Sequence, residues 1–93
     1  MILFLAKWGM PGKGNGQFND PTGISHDLEN DLIFITDNNN NRIQVLDKDG
    51  NYVAKWGSKS NFGRPTGIAY DSTDQLIYIN DKVNHNIQVL QYR

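Results

Sequence analysis

The polar residues best suited to chemistry occur in two copies. Asp37, Asn40 and Arg42 form one cluster, and Asp81 and Asn84 occupy matching positions 44 residues later. Carboxylate, amide and guanidinium groups at an exposed edge could bind a polar ligand. The alternative is that the Asp and Asn side chains bind backbone amides of their own turn, while Arg42 pairs with a carboxylate of the next repeat. The recurrence of the cluster at one place favours the turn-holding role.

The two histidines, His26 and His85, are the candidates for metal binding. Three copies of one imidazole around an axis could bind zinc. However, His26 shares a face of a predicted strand with Ile24, and His85 lies in a predicted turn. Neither has a second ligand at a spacing typical of metal sites, so no metal or other cofactor is predicted.

Carboxylates and glycines offer no stronger catalytic pattern. Asp27 and Asp71 end equivalent strands and could ring a central channel if the repeats close into a circle. Gly12, Gly14 and Gly16 lie in a glycine-rich loop, but no helix follows whose N-terminus would bind a phosphate. Since no nucleophile and base have a defensible spacing, no enzymatic activity is predicted.

The composition describes one small domain, predicted to span residues 1–93. A net charge of −1 and a sequence pI of about 6.0 give no overall attraction to nucleic acid or anionic membranes. The absence of cysteine excludes disulfides and thiolate metal sites. The apolar residues 1–9 are too few for a membrane span or for the apolar part of a signal peptide. No membrane partner is therefore predicted, and the cytoplasm is the default location.

These side chains must be positioned by a repeated element. Residues 18–46 and 62–90 align without a gap, so residue n of the first copy corresponds to residue n + 44 of the second. The segments FLAKWG (4–9) and YVAKWG (52–57) form another matching pair. A period of this length, built from short strands, is typical of propeller blades.

Turn chemistry divides each copy into short strands. In the first copy, TGISHD follows Pro21, and LIFIT (32–36) lacks alternation, as expected for a strand buried on both faces. RIQVLD (42–47) alternates, and Asp49-Gly50 is a hairpin signal before YVAKWG. The second copy repeats the first three strands as TGIAYD, LIYIN and NIQVL.

One strand is displaced relative to the repeat. Blade 1 is predicted to span residues 18–57, whereas blade 2, residues 62–93, lacks an outer strand. The matching segment is at the front of the chain, within residues 1–9. These residues are therefore predicted to be an outer strand displaced to the N-terminus.

The pattern F-x-x-P-x-G-I-x-x-D, an apolar strand, D-x-x-N-x-x-I-Q-V and a later WG resembles the NHL repeat of six-bladed β-propellers. The resemblance covers nearly the whole chain and implies an all-β fold of four-stranded blades. It departs in two respects. Asn86 replaces the basic residue held by Arg42 in the first copy, and the chain has two repeats rather than about six.

Two blades alone would leave an apolar face bare at each end, because each blade of a propeller is covered on both faces. Head-to-tail contacts would close the circle, and six blades require three chains, a cyclic homotrimer of about 32 kDa. Residues 1–9 would complete blade 2 of a neighbour by strand exchange. The predicted assembly residues are Leu3, Phe4, Leu5, Trp8, Ile87, Val89 and Leu90.

The preferred functional hypothesis is a self-assembling scaffold without catalytic activity, either a minimal natural propeller or an engineered or ancestral-like one. The near-identity of the two copies favours it. The alternative is a binding module that recognises a peptide, glycan or RNA on a blade face or in the channel. NHL domains of tripartite-motif-type proteins, which this chain resembles, bind RNA through a basic face. Here the lysines are scattered among acids, a pattern typical of a solvated surface.

Two pairs of equivalent residues give further expectations. Asp20 and Arg64 share one repeat position with opposite charge, so they are predicted to alternate around the ring and to pair where they come within reach. Ile35 and Ile79 lie in the predicted middle strands and are expected to be fully buried.

Overall fold

Seven strands and one short turn of 3-10 helix, Asn38–Asn40, make up the secondary structure of the computed structural model, which describes residues 1–93. The strands are β1 Pro21–Asp27, β2 Leu32–Asp37, β3 Arg42–Asp47, β4 Tyr52–Trp56, β5 Pro65–Asp71, β6 Leu76–Asp81 and β7 Asn86–Gln91. They form two antiparallel sheets, in the orders β1-β2-β3-β4 and β5-β6-β7. The predicted all-β fold, with one strand fewer in the second sheet, is confirmed. No helix has the length and apolar character needed to cross a membrane.

Residues with left-handed backbone close the tight turns between strands. Asn41 and His85 precede β3 and β7 with φ of 56° and 55°, so the equivalent turns of the two sheets share one conformation. Asn and His are among the residues enriched in this region. Gly50, with φ of 86°, closes the hairpin between β3 and β4 that Asp49-Gly50 predicts. The repeat in sequence is therefore also a repeat in backbone geometry.

The strand register divides each sheet into two faces. In the first sheet, Phe34 lies opposite Val45, which in turn lies opposite Ala54, so these side chains share a face. Ile24 lies opposite Ile35 on the other face. Because side chains alternate along a strand, a slip of one residue would exchange the two faces.

The core lies between the two sheets. Its buried members, each no more than 2% exposed, are Phe34, Ile43, Val45, Phe62, Ile77 and Ile79. The rings of Tyr70 and Tyr92 pack on Phe34 with centroid distances of 4.9 Å and 5.6 Å. We call the side of the first sheet that carries Phe34, Ile43 and Val45 the junction face of blade 1.

The two isoleucines expected in the interior are both buried. Ile79 is completely buried in the core, whereas Ile35 retains 8% of its exposure. The difference arises because Ile35 lies on the side of the first sheet that faces away from the second sheet. We call this side, which also carries Ile24, the open face of blade 1.

The backbones of the two blades approach closely at Gly23. A Cβ atom at this position would collide with the carbonyl oxygen of Thr66 and would lie 2.9 Å from Oγ1 of Thr36. Only glycine leaves room for this approach. The first strands of the two sheets are thereby held side by side.

Candidate functional site

Asp37 is the centre of the polar cluster in blade 1. Its carboxylate is completely buried and accepts hydrogen bonds from the backbone N–H of Asn19 (2.7 Å), Nδ2 of Asn40 (2.8 Å) and Nε of Arg42 (2.9 Å). Asn40 and Arg42 thus both contact the carboxylate of Asp37. Their hydrogen-bonding groups are directed at the protein rather than at solvent.

Arg42 fastens residues 10–17 to blade 1. Its Nη1 donates to the carbonyl oxygen of Lys13 (2.9 Å), and its Nη2 donates to the carbonyl oxygens of Gly14 (3.0 Å) and Gln17 (2.8 Å). The glycine-rich loop therefore supplies carbonyl acceptors to a buried guanidinium. The expectation that Arg42 pairs with a carboxylate of the next repeat is wrong, because its partner is Asp37 of its own blade.

Asp81 holds the equivalent turn of blade 2 without an arginine. Its carboxylate accepts hydrogen bonds from the backbone N–H groups of Gly63 (2.9 Å), Arg64 (3.1 Å) and Asn84 (3.2 Å), and from Nδ2 of Asn84 (2.8 Å). Burial opposes ionisation, but these donors outweigh it and lower the pKa of Asp81 to about 2. The turn is therefore stabilised by an ionised carboxylate.

Acid is expected to weaken the fold through Asp81. Its pKa is about 2 in the folded chain against an ordinary 3.8, so the unfolded chain binds more protons between these values. The stabilisation, about 2 kcal/mol per chain, is complete above about pH 5 and is lost as the pH falls towards 2. Denaturant titrations of the parent and Asp81→Asn at fixed chain concentration should show a stability difference that narrows on acidification. A difference independent of pH would contradict this role.

The other candidate groups for chemistry remain apart. Nε2 of His26 lies 3.5 Å from Oδ1 of Asp31, while His85 occupies its turn before β7. No three His, Asp or Glu side chains are close enough together to hold a metal ion. The sequence suggested that Asp27 lines a channel. Instead, its carboxylate is completely buried and accepts hydrogen bonds from the side chain and the backbone of Asn30.

The junction between the blades is a set of hydrogen bonds around the apolar core. Four side chains of blade 1 donate to backbone carbonyl oxygens at the start of blade 2. The pairs are Thr22 Oγ1 to Thr66 (3.2 Å) and Pro65 (3.3 Å), Thr36 Oγ1 to Thr66 (2.8 Å), Asn38 Nδ2 to Pro65 (3.1 Å), and Asn41 Nδ2 to Gly63 (2.6 Å) and Phe62 (3.3 Å). All four donors are neutral, so these hydrogen bonds involve no charge. Asp20 and Arg64 form no ion pair within the chain.

Residues 1–9 form no strand in the single chain. The predicted assembly residues Leu3, Phe4 and Leu5 are 67%, 80% and 88% exposed, and the ring of Trp8 lies against Gly50. A large apolar segment is therefore open to solvent. The C-terminal end of this segment, at Gly9, leads into the glycine-rich loop that Arg42 holds by hydrogen bonds.

Gly9, at the end of this segment, makes the same contact as Gly57, at the end of the outer strand of blade 1. A Cβ atom at Gly9 would lie 2.9 Å from the ring of Phe18, and one at Gly57 would lie 2.8 Å from the ring of Phe62. Gly57 follows the outer strand of blade 1 and leads into blade 2. Gly9 therefore stands where the outer strand of a preceding blade would end.

The free edge of β7 borders an apolar groove. The groove has a volume of about 320 Å³ and lies between blade 1 and the last strand of blade 2. Its apolar lining includes Ile43, Val45, Ala54 and Trp56 of blade 1 and Leu90 and Tyr92 of blade 2. Among the predicted assembly residues, Ile87 and Val89 are exposed on β7 and Leu90 is half-buried.

Sequence reasoning did not identify the junction donors Thr36, Asn38 and Asn41. Their signal was available, because the matching positions in blade 2 hold Asn80, Lys82 and His85 rather than the same residues. Where equivalent positions of the two repeats hold different residues, the two repeats are expected to have different neighbours.

Two antiparallel sheets packed face to face, with their first strands adjacent, have the arrangement of consecutive blades in a propeller-type repeat protein. The sequence model of the NHL repeat matches residues 18–46 and 62–90, which cover β1 to β3 and β5 to β7 except for the last residue of β3 and of β7. The chain therefore belongs to the NHL-repeat family.

Curated relatives share just over half of this chain. Protein brain tumor of Drosophila melanogaster is 38% identical over 56 residues, which are 60% of this chain and 5% of that protein. Protein lin-41 of Caenorhabditis elegans is 39% identical over 51 residues, 55% of this chain and 4% of that protein. The B-box type zinc finger protein ncl-1 of the same organism is 37% identical over 51 residues and is matched over 6% of its length. The chain thus spans a small part of each relative.

Proposed function

We propose that this chain is a self-assembling propeller segment, in which three copies close head to tail into a six-bladed ring with a structural rather than catalytic role. One observation carries the proposal: the exposed side of blade 2 repeats the junction face of blade 1. Tyr78, Ile87 and Val89 are 39%, 59% and 52% exposed. Their counterparts Phe34, Ile43 and Val45, which blade 2 covers, are 0%, 2% and 2% exposed. We call the exposed side the open face of blade 2.

The surface that would cover this face is present on every chain. Blade 2 covers blade 1 with Phe62, Ile68 and Ile79, whose counterparts are Phe18, Ile24 and Ile35. Ile24, on the open face of blade 1, is 71% exposed. Burying one such side chain fully contributes about 1.5–3 kcal/mol, so several at each junction can offset the cost of association. The open face of blade 1 therefore carries residues equivalent to those with which blade 2 covers blade 1, and it can cover the open face of blade 2 in another chain.

The displaced strand would complete each junction. Residues 3–9 of one chain would pair with the free edge of β7 in its neighbour and fill the groove beside it. Leu5 matches Val53 of β4, and Trp8 matches Trp56. By this correspondence Leu5 points into the groove, towards the preceding blade. A shared sheet of this kind joins two chains by backbone hydrogen bonds as well as by apolar packing.

The mass in solution tests the proposal. Native mass spectrometry and light scattering should give about 32 kDa, three times the chain mass of 10.6 kDa, at micromolar concentration. A closed ring should keep this mass as the concentration rises, because a closed head-to-tail assembly has no free ends. A monomer, or a filament that grows with concentration, would contradict three-fold closure.

A second candidate function rests on a polar depression at the turn edge of the blades. It has a volume of about 510 Å³ and is lined only by polar residues and one glycine, among them Lys13, Lys55 and Lys59. Three lysines around a depression suit an anionic polymer such as RNA. RNA affinity that falls steeply with salt, and that is lost when these lysines are replaced, would favour a binding module.

A further inference from the structure

The two kinds of junction in the proposed ring have different chemistry at the same positions. Within a chain, blade 1 presents Asn38 and Asn41 to the segment that contains Arg64. Between chains, blade 2 would present Lys82 and His85 to the matching segment of a neighbour, which contains Asp20. Amide donors are thus replaced by basic side chains, and the cation opposite them is replaced by a carboxylate.

Backbone geometry supports this correspondence. The N–H of Asn38 donates to the carbonyl oxygen of Asp20 at 3.3 Å, and the N–H of Lys82 donates to the carbonyl oxygen of Arg64 at 3.0 Å. With the matching left-handed residues Asn41 and His85, these bonds show that the turns after β2 and β6 are held to the preceding segment by the same backbone contact. Asp20 itself differs from Arg64 in having left-handed backbone, with φ of 60°. The backbone of Lys82 therefore has the same position in blade 2 as the backbone of Asn38 has in blade 1.

We infer that Lys82 recognises Asp20 of the next copy, so that charge as well as shape selects the partner; the inference rests on the proposed ring. Asn38 reaches the carbonyl oxygen of Pro65, the residue next to Arg64. The longer side chain of Lys82 passes the matching carbonyl oxygen of Pro21 and reaches the adjacent carboxylate of Asp20. Both Lys82 and Asp20 are exposed in the single chain, and neither forms an ion pair there.

His85 contributes a donor at the same contact. Its Nδ1 is as many bonds from the backbone as Nδ2 of Asn41, which donates to Gly63 at 2.6 Å. The matching acceptor in the next copy is the carbonyl oxygen of Asn19. His85 thus replaces the asparagine hydrogen bond, while Lys82 adds a charge pair that the junction within the chain lacks.

A charge-swap cycle tests the inference. Lys82→Asp places two carboxylates at each of the three junctions, and Asp20→Lys places two ammonium groups there. Each charge reversal is expected to weaken one junction roughly threefold to tenfold, which is about 30-fold to 1,000-fold in the dissociation constant of the three-chain ring. The double variant Asp20→Lys/Lys82→Asp restores opposite charges and should assemble more tightly than either single variant. Sedimentation equilibrium at about 50 mM and about 500 mM salt measures these constants.

Lys48→Asp is the matched control, because Lys48 is exposed in the turn between β3 and β4, at the end of the sheet opposite to the one that carries Asp20 and the turn after β2. It makes the same charge change and should leave the ring constant and its salt dependence unchanged. Trimers of equal strength in all variants, or a double variant weaker than both single variants, would overturn the Lys82–Asp20 contact and leave the ring intact. A parent chain that is monomeric in low salt would overturn the ring itself.

Discussion

Deletion of residues 1–9 is expected to abolish the closed trimer. The deletion removes the strand that would pair with β7 of a neighbour, and with it Leu5 and Trp8. The groove of about 320 Å³ beside β7 then stays empty, and the backbone groups along this edge stay unpaired. Native mass spectrometry and light scattering of the truncated chain should show no species of three subunits.

The truncated chain is expected to form larger, less defined species. An unpaired strand edge beside an apolar groove is a template for pairing with any other free edge. The apolar open faces would remain and would favour association without a fixed geometry. A truncated chain that forms a well-folded trimer would contradict strand exchange and would make residues 1–9 a dispensable tail.

Transfer of the strand within the chain provides the control. Residues 3–9 placed after Arg93, behind an Asp-Gly turn like Asp49-Gly50, should pair with β7 of their own chain. The ring should then survive, because its faces are unchanged, but each junction would rely on face packing alone. Dissociation at a higher chain concentration than for the parent is the expected result. Equal affinity would show that sharing a sheet between chains contributes nothing to closure.

Ile79→Ala is expected to cost about 2–5 kcal/mol in the free energy of unfolding. Ile79 is completely buried in the core between the blades, so the substitution leaves a cavity that the surrounding strands can fill only in part. A trimer carries this defect in all three chains. Denaturant unfolding at fixed chain concentration measures the loss, because assembly and folding are linked.

Two matched variants locate the source of this loss. Leu28→Ala changes a side chain that is 78% exposed in a turn and should alter stability by no more than about 0.5 kcal/mol. Ile35→Ala changes the equivalent residue on the open face of blade 1. Its cost should approach that of Ile79→Ala, since Ile35 is itself only 8% exposed in the single chain. An unchanged stability for Ile79→Ala would show that β6 is not a buried middle strand.

The strands and their turns could be predicted from local sequence. LIFIT forms a buried middle strand because its first four side chains are apolar and suit a covered surface on either face. Asp49-Gly50 specifies a hairpin because glycine adopts the positive φ of 86° that this turn requires. The turn clusters around Asp37 and Asp81 were also recognisable, since carboxylates and amides satisfy nearby backbone donors. These features depend on residues close together in sequence.

The assignment of partners required the tertiary structure. Periodicity shows that Arg42 and Asp37 lie near a turn, but the loop that supplies acceptors to Arg42 is more than 20 residues away in sequence. Asp27 ends a strand in the sequence, and the structure shows that its carboxylate is occupied by donors of the turn that follows, Asn30 among them, rather than by a channel. Strand alternation likewise cannot distinguish which face of a sheet meets the next blade.

Sequence alone therefore determined that this chain consists of two NHL-type repeats, with their strands, turns and apolar residues. The tertiary structure decided which repeated positions are covered and which remain open. The physical reason is that the two sheets stack on each other. This stacking buries Ile43 under blade 2 and leaves the equivalent residue Ile87 59% exposed. Identical residue types thus acquire different roles because only one of the two sheets has a neighbour on that side.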